Sequence, residues 1–396
     1  MTNTKSLLLV VMVMANLFVS CAISTPTAKP AEAASAGPVL LGVGLDAATI
    51  DISVSPCDDF FQFASRTWLK NNPIPAAESR WSSFDLLVKQ NEAIMRTILE
   101  ESATHKGAAK GSNAQKVGDF YASGMDSTAI EKAGLKYLQP ELDSIRAVKD
   151  LKGLQAQLGR QLLLTRSIFR LDITEDRKKG ALYLSQGGLT LPNLDYYLND
   201  DTRAKAIRTA YTTYLTNTFR LLGDNEVTAL ENAATVLRLE MRLAKASRNR
   251  IALRDSDANH NKMTLRKAAR QFPHLGLPTM LQQLGLGSAK KVIVGQPEFL
   301  QEASAALKQE PLADWKTYLR WRVTSSLVSA LPSAYVEESF RFQQVLTGIQ
   351  QQRPRWQRIL RATDANLGEA FGQLYVDKAF PPETKQKALE MVGNIK

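Results

Sequence analysis

From Phe84 to Leu99 the apolar side chains return every three or four residues: Phe84, Leu87, Val88, Ile94, Met95, Ile98 and Leu99, with Asn91 the polar member of the stripe. An α-helix turns once in 3.6 residues, so this run forms one face of an amphipathic helix. A helix of that length is marginal alone in water and needs apolar surface to lie against. The chain is therefore expected to fold by packing helix on helix.

The same rhythm recurs along the sequence. Ser55 and Pro56 read as N-cap and first-turn residues of an earlier helix, Asp58 and Asp59 suit its positive end, and Phe60, Phe61, Ala64, Trp68 and Leu69 make its face, with Asn71 to Pro75 as the stop. Helices are expected over Ala114–Ser123, Pro140–Val148, Leu151–Leu164, Asp201–Leu222 and Glu226–Ala246, then from Thr264, Pro278, Pro297, Leu312, Ser333 and Arg355, and at the prolines of "FPPETKQKALEMVGNIK". One interruption has period two: "SIFRLDITED" and "ALYLSQ", joined by "RKKG", predict a β-hairpin. The expected fold class is mainly α, a multi-helix lobe with one small β-hairpin.

The first residues read as an export signal. Lys5 precedes the apolar run "LLLVVMVMANLFVS" and then Cys21, a charged stretch followed by a core too short to span a bilayer comfortably. Ser20–Cys21 resembles a bacterial lipoprotein box, whereas the rival cleavage point Ala34–Ala36 lies too far past the apolar run. Residues 1–21 are thus expected to be a lipoprotein-type signal with Cys21 lipidated, 22–50 a flexible tether rich in Ala, Pro and Thr as far as Pro38, and 51–396 the folded part. That places the chain outside the cytoplasm, in a bacterial periplasm or at the outer membrane or cell surface. Cys57 is then the one thiol left in an oxidising compartment. It reads as a reactive thiol or as a cysteine with a partner outside this chain, or else as a small buried hydrophobe.

Few residues offer chemistry. The formal charge is +11, but the basic residues are scattered along helical stretches, so no nucleic-acid partner is expected. The arginines of "RWR" (Arg320, Arg322) and "RPRWQR" (Arg353, Arg355, Arg358) read as stems lying on aromatic rings. The three histidines, His105, His260 and His274, include no pair at i and i+4 to bind one zinc. In "DSDANHNKMTLR", Asp255, Asp257 and Asn259 have calcium-loop spacing, but His260 stands where a glycine is needed and Arg266 where a glutamate is, so loop capping is expected. Arg80, ahead of the most regular helix, has Asp85 five residues on. That spacing fits a helix-start salt bridge, or a guanidinium oriented to grip a carboxylate through two parallel hydrogen bonds.

"PCDDFFQFASRTWLKNNPIP", "ESRWSSFDLL", "DFYASGMD", "GGLTLPNLDYYLND", "NHNKMTL", "VIVGQPEFL", "LRWRV" and "LGEAFGQLYVDKAFPPETK" occur in this order. In that order the chain resembles the neprilysin and endothelin-converting-enzyme-like zinc metallopeptidases, from about Val39 to Lys396. The resemblance implies an oligopeptidase or endopeptidase with two largely helical lobes around a closed chamber for small peptides. It also implies a zinc held by a HExxH helix and a later glutamate in a C-terminal catalytic domain that these residues do not include. This sequence corresponds to the N-terminal lobe and the segment crossing toward that domain.

By the same resemblance Arg80 contacts the C-terminal side of the substrate, Asp85 is its acidic neighbour, and Cys57 pairs with a cysteine of the catalytic half. Val88 stands where some relatives carry a second basic residue, and Ser65–Arg66 where Asn-Gly or Gly-Gly is usual. The expectation is a lobe without catalytic residues or bound zinc, inactive alone, with apolar surface left for the catalytic domain. The alternative is a surface-anchored helical module that binds peptides or a partner protein without catalysis.

Overall fold

The computed structural model describes residues 47–105, 107–164, 167–176 and 179–395. Cys21, the leader and the tether as far as residue 46 lie outside the described residues. Sixteen helices and four strands are formed among the described residues. They divide into two compact units that meet in sequence at Pro73 and Ile74.

The smaller unit, residues 47–73, holds a 3-10 turn, Ala47–Thr49, and helix α1, Phe60–Asn71. The helix begins later than the Ser55–Pro56 cap expected from the sequence. The amides of Asp58 and Asp59 both turn back to the Ser55 carbonyl at 3.1 Å, and the Asp59 side chain accepts from Gln62 N, which makes Asp59 the N-cap. Asp51 N donates to Phe63 O at 2.8 Å, tying the segment before α1 to its second turn.

In the larger unit the helices follow the apolar period closely. They are α2 (Ser83–Thr104), α3 (Asn113–Met125), α4 (Ser127–Ala133), α5 (Gln139–Ala147), α6 (Leu151–Leu164), α7 (Asp195–Leu198), α8 (Thr202–Leu221) and α9 (Glu226–Lys245). After these come α10 (Leu265–Gln271), α11 (Leu277–Gln283), α12 (Pro297–Gln309), α13 (Leu312–Leu327), α14 (Ser333–Thr347), α15 (Arg355–Ala379) and α16 (Pro382–Ile395). Ser112, Asp126, Asp201 and Asn225 cap α3, α4, α8 and α9 through their side chains.

The expected hairpin is β1 (Phe169–Asp176) and β2 (Lys179–Gln186), antiparallel with Leu171 opposite Leu184. Two strands that the sequence did not announce join it, β3 (Asn261–Thr264) and β4 (Lys291–Val294), in the order β1-β2-β4-β3. β4 runs parallel to β2, with Leu182 opposite Val292, and antiparallel to β3. Val292, Ile293 and Val294 are all buried, so β4 shows no alternation and its four residues are too short a run to distinguish from a helix fragment.

Two apolar cores sit in this unit. The larger gathers α5, α6, the sheet and α8 through α14, with Tyr211 and Tyr214 of α8 meeting Trp321 of α13 at ring-centroid distances of 6.0 and 5.1 Å. The smaller is built by α2, α3 and α15 from Ile98, Leu99, Val117, Tyr121, Ile359, Leu360 and Phe371. Gly118 lets α2 and α3 approach: a Cβ there would lie 2.3 Å from the Ser102 carbonyl oxygen.

Candidate functional site

The approach to α2 is held from both sides. Glu78 N donates to Pro75 O at 2.9 Å, and Ala76 O accepts from Gln350 N and Gln351 N at 2.8 and 2.9 Å. Arg353 donates to both Glu78 carboxylate oxygens, through Nε at 2.9 Å and through Nη2. Ser82 then caps α2: its Oγ accepts from Asp85 N at 3.4 Å and donates to Asp85 Oδ2 at 2.6 Å.

Arg80 lies exposed between these two fixed points. Among the described residues it forms no ion pair, and the helix-start salt bridge to Asp85 suggested by the spacing is not made. The Ser82 hydroxyl, three residues from Asp85, takes the carboxylate instead. The guanidinium therefore keeps its fork of donors available to a carboxylate from elsewhere.

The stripe on α2 divides in two. Ile98 and Leu99 are buried in the smaller core, whereas Phe84 is 77% and Val88 49% exposed. Between them Glu92 is buried and accepts from Gln357 Nε2 at 2.9 Å and Arg361 Nη2 at 3.0 Å. Arg80 just ahead of α2 and the apolar side chains of its first turns thus lie exposed, while the later turns are core.

A second polar constellation was not anticipated from the sequence. Glu240 of α9 is fully buried and accepts from Thr190 Oγ1 (2.6 Å), Tyr197 Oη (2.7 Å) and Tyr211 Oη (2.9 Å), with Arg322 Nη1 at 3.9 Å. Tyr197 Oη in turn accepts from Thr190 N and Leu191 N at 3.0 and 2.8 Å. Burial pushes the Glu240 carboxyl up from its ordinary value, while Arg322 and the three donors draw it back. Burial, and then Glu240, push the Tyr197 and Tyr211 hydroxyls well up, so both remain donors. The network locks "GGLTLPNLDYYL" against α8, α9 and α13. Its sequence signal was a glutamate in the buried register of α9, between Val236 and Ala244.

The other candidates are structural. Cys57 is exposed and, among the described residues, unpaired; its exposure overturns its reading as a buried hydrophobe. Arg320 pairs with Asp224 at 3.0 Å and lies over Phe219, and Arg355 Nε donates to Gly124 O. Asp255 Oδ1 accepts from the amides of Asp257 and Ala258 at 3.1 and 2.9 Å, the loop capping expected of it. Among the described residues no three His, Cys, Asp or Glu side chains are grouped to hold a metal ion, so they do not fit the zinc that the resemblance implies. Among them, too, no helix is long and apolar enough to cross a membrane.

The described residues thus form a mainly helical lobe with one small mixed sheet, and carry the exposed Arg80 ahead of the exposed Phe84 and Val88. The chain belongs to Peptidase family M13, whose N-terminal model matches residues 56–396. It is 29% identical over 373 residues to Neprilysin-3 of Drosophila melanogaster, covering 88% of this chain and 47% of that protein. It is 26% identical over 364 residues to human Endothelin-converting enzyme 1, with the same two coverages. The structure of the Mycobacterium tuberculosis zinc metalloprotease ZMP1 superimposes with a TM-score of 0.81 at 30% identity, over 88% of this chain and 54% of that one. The chain thus spans about half the length of the relatives it matches.

Proposed function

We propose that this chain supplies the N-terminal, substrate-enclosing portion of a neprilysin-like zinc metallopeptidase acting on small peptides. The observation that carries the reading is Arg80: within a family match that spans residues 56–396, it stands exposed, fixed from both sides and without a carboxylate partner among the described residues. In this reading its guanidinium grips a carboxylate on the C-terminal side of the peptide, with Asp85 as the acidic neighbour. A charge-assisted hydrogen bond of that kind contributes about 1.5–3 kcal/mol, roughly a ten- to hundredfold change in affinity. Phe84 and Val88 add apolar contact beside it.

This chain's share of the work is binding and enclosure. Zinc would be held by a C-terminal catalytic domain, the partner to which Cys57 is joined by a disulfide. Lipidation of Cys21 would hold the enzyme at an exported membrane surface.

The test is peptide cleavage by this chain joined to an M13 catalytic domain. The expected result is cleavage that a chelator abolishes, with Arg80→Ala raising KM ten- to hundredfold for peptides with a free C-terminal carboxylate and little for their amides. Equal KM for the two peptide forms in the unsubstituted enzyme would overturn the carboxylate grip. Peptide binding without cleavage, with a catalytic domain shown to hold zinc, would favour a non-catalytic peptide-binding module.

A further inference from the structure

A cleft of about 500 Å³ opens along β1, and its lining includes the consecutive residues Phe169, Arg170, Leu171 and Asp172. Successive residues of a strand point to opposite faces, so a cleft lined by four in a row reaches past one face of the strand to its backbone. β1 is the outer strand of the sheet, paired to β2 alone. Every second residue of such a strand turns its N–H and C=O outward. Among the described residues no group outside the hairpin hydrogen-bonds to the backbone of Phe169–Thr174.

The walls are predominantly cationic. Arg170, Arg248, Arg250 and Arg322 line the cleft against a single carboxylate, Asp172. Arg322 is committed to Glu240 and Thr190, and Arg248 to Glu298 at 2.5 Å. Among the described residues Arg250 donates only to the Pro192 carbonyl, at 3.2 Å, and Arg170 has no side-chain partner. Ser167, 2% exposed, also lines the cleft, and among the described residues its Oγ has no hydrogen-bond partner. An orphaned buried hydroxyl costs stability, and such a group is satisfied when a ligand supplies the missing partner. Gly188 also lines the cleft, with φ +78°, and a Cβ there would strike Ile168 O and Tyr318 Oη at 2.9 Å.

We propose that this cleft binds an extended acidic peptide, which adds to the open edge of β1 and places a carboxylate between Arg170 and Arg250, within reach of the Ser167 hydroxyl. Strand addition supplies backbone hydrogen bonds, and the two arginines select the acidic side chain. The site requires neither Arg80 nor a catalytic domain. It extends the reading above from a grip on one carboxylate to a second, acid-selective contact on the same chain.

The experiment is fluorescence anisotropy of this chain with labelled acetyl-Thr-Val-Glu-Val-Thr amide, which has no C-terminal carboxylate for Arg80. Changing the peptide Glu to Gln, or making Arg170→Ala or Arg250→Ala, is expected to weaken binding about tenfold. N-methylation of alternate peptide amides is expected to abolish it. Ser167→Ala should weaken binding while leaving the melting temperature unchanged or higher, because it removes an unsatisfied buried group. Equal binding of the Gln peptide, or affinity untouched by both arginine replacements in chains with native circular dichroism, would overturn the charge selection. Binding that survives N-methylation, or no binding at millimolar peptide, would overturn the strand addition.

Discussion

Arg353 closes a two-pronged ion pair on Glu78, 275 residues earlier in the chain, and so fixes the turn ahead of Arg80 to the loop that enters α15. Both side chains are partly exposed, so their coupling is expected to be about 1 kcal/mol, above an ordinary surface pair because the fork is bidentate. A double-mutant cycle with Glu78→Ala and Arg353→Ala, followed by urea unfolding, measures it. A coupling indistinguishable from zero would show that the turn is held by Ala76 alone.

Ser82→Ala removes the N-cap of α2 and the donor to Asp85 together. The expected loss of stability is about 1 kcal/mol. Ser82→Asp, another good cap, should recover most of it but repel Asp85, and thermal melts of the two variants separate these contributions.

Glu240 gives the chain an unusual pH response. Its native pKa lies above the ordinary value of 4.5, so the native state holds this proton more tightly than the unfolded state. The stability linked to it is fully present below about pH 4.5 and is lost as pH rises through the native pKa. Glu310 works in the opposite sense. Hydrogen bonds from Arg242 and Arg238 outweigh its burial and lower its pKa, so its contribution is present above 4.5 and lost as pH falls. Glu240→Gln, which mimics the protonated acid, is expected to remove the decline on the rising side. Urea midpoints across the range would test this, and parallel curves for wild type and variant above pH 4.5 would contradict it. Glu240→Ala, which strands Tyr197, Tyr211 and Arg322 together, should cost about 3–5 kcal/mol.

Cys57 is exposed, so alkylation should go to completion in the native state without denaturant and disappear in Cys57→Ser. Protection until the chain unfolds would contradict this placement.

Phe60 and Phe61 in the smaller unit, and Phe84, Val88, Leu389, Met391, Val392 and Ile395 in the larger, are all exposed. Isolated chains are therefore expected to self-associate at micromolar concentration. Sedimentation velocity would detect it, and a concentration-independent monomer would count against an unmet partner for these faces.

The helices were legible because each has to present an apolar stripe, and Leu151–Leu164 and the starts at Pro297, Leu312, Ser333 and Arg355 fall where the period placed them. What escaped was set by competition or by distant partners. α1 starts at Phe60 because Asp59 out-competes Ser55 as cap. β3 and β4 exist only because β2 is there to pair with. The exposed half of the α2 stripe looks like core in sequence, since periodicity says which side chains share a face but not what covers it. Arg80 stood out by its place ahead of α2, but spacing left two readings open, a bond to Asp85, which Ser82 takes instead, and a carboxylate grip, which only the family resemblance favoured.

The three-helix core of α2, α3 and α15 joins residues as far apart as Arg355 and Gly124, 231 positions away. At ribosomal speeds of about 5–20 residues per second, tens of seconds separate the emergence of the first two helices from the arrival of the third. Throughout that interval Ile98, Leu99, Val117 and Tyr121 have no lid, so this core can close only after Arg355–Ala379 has been made.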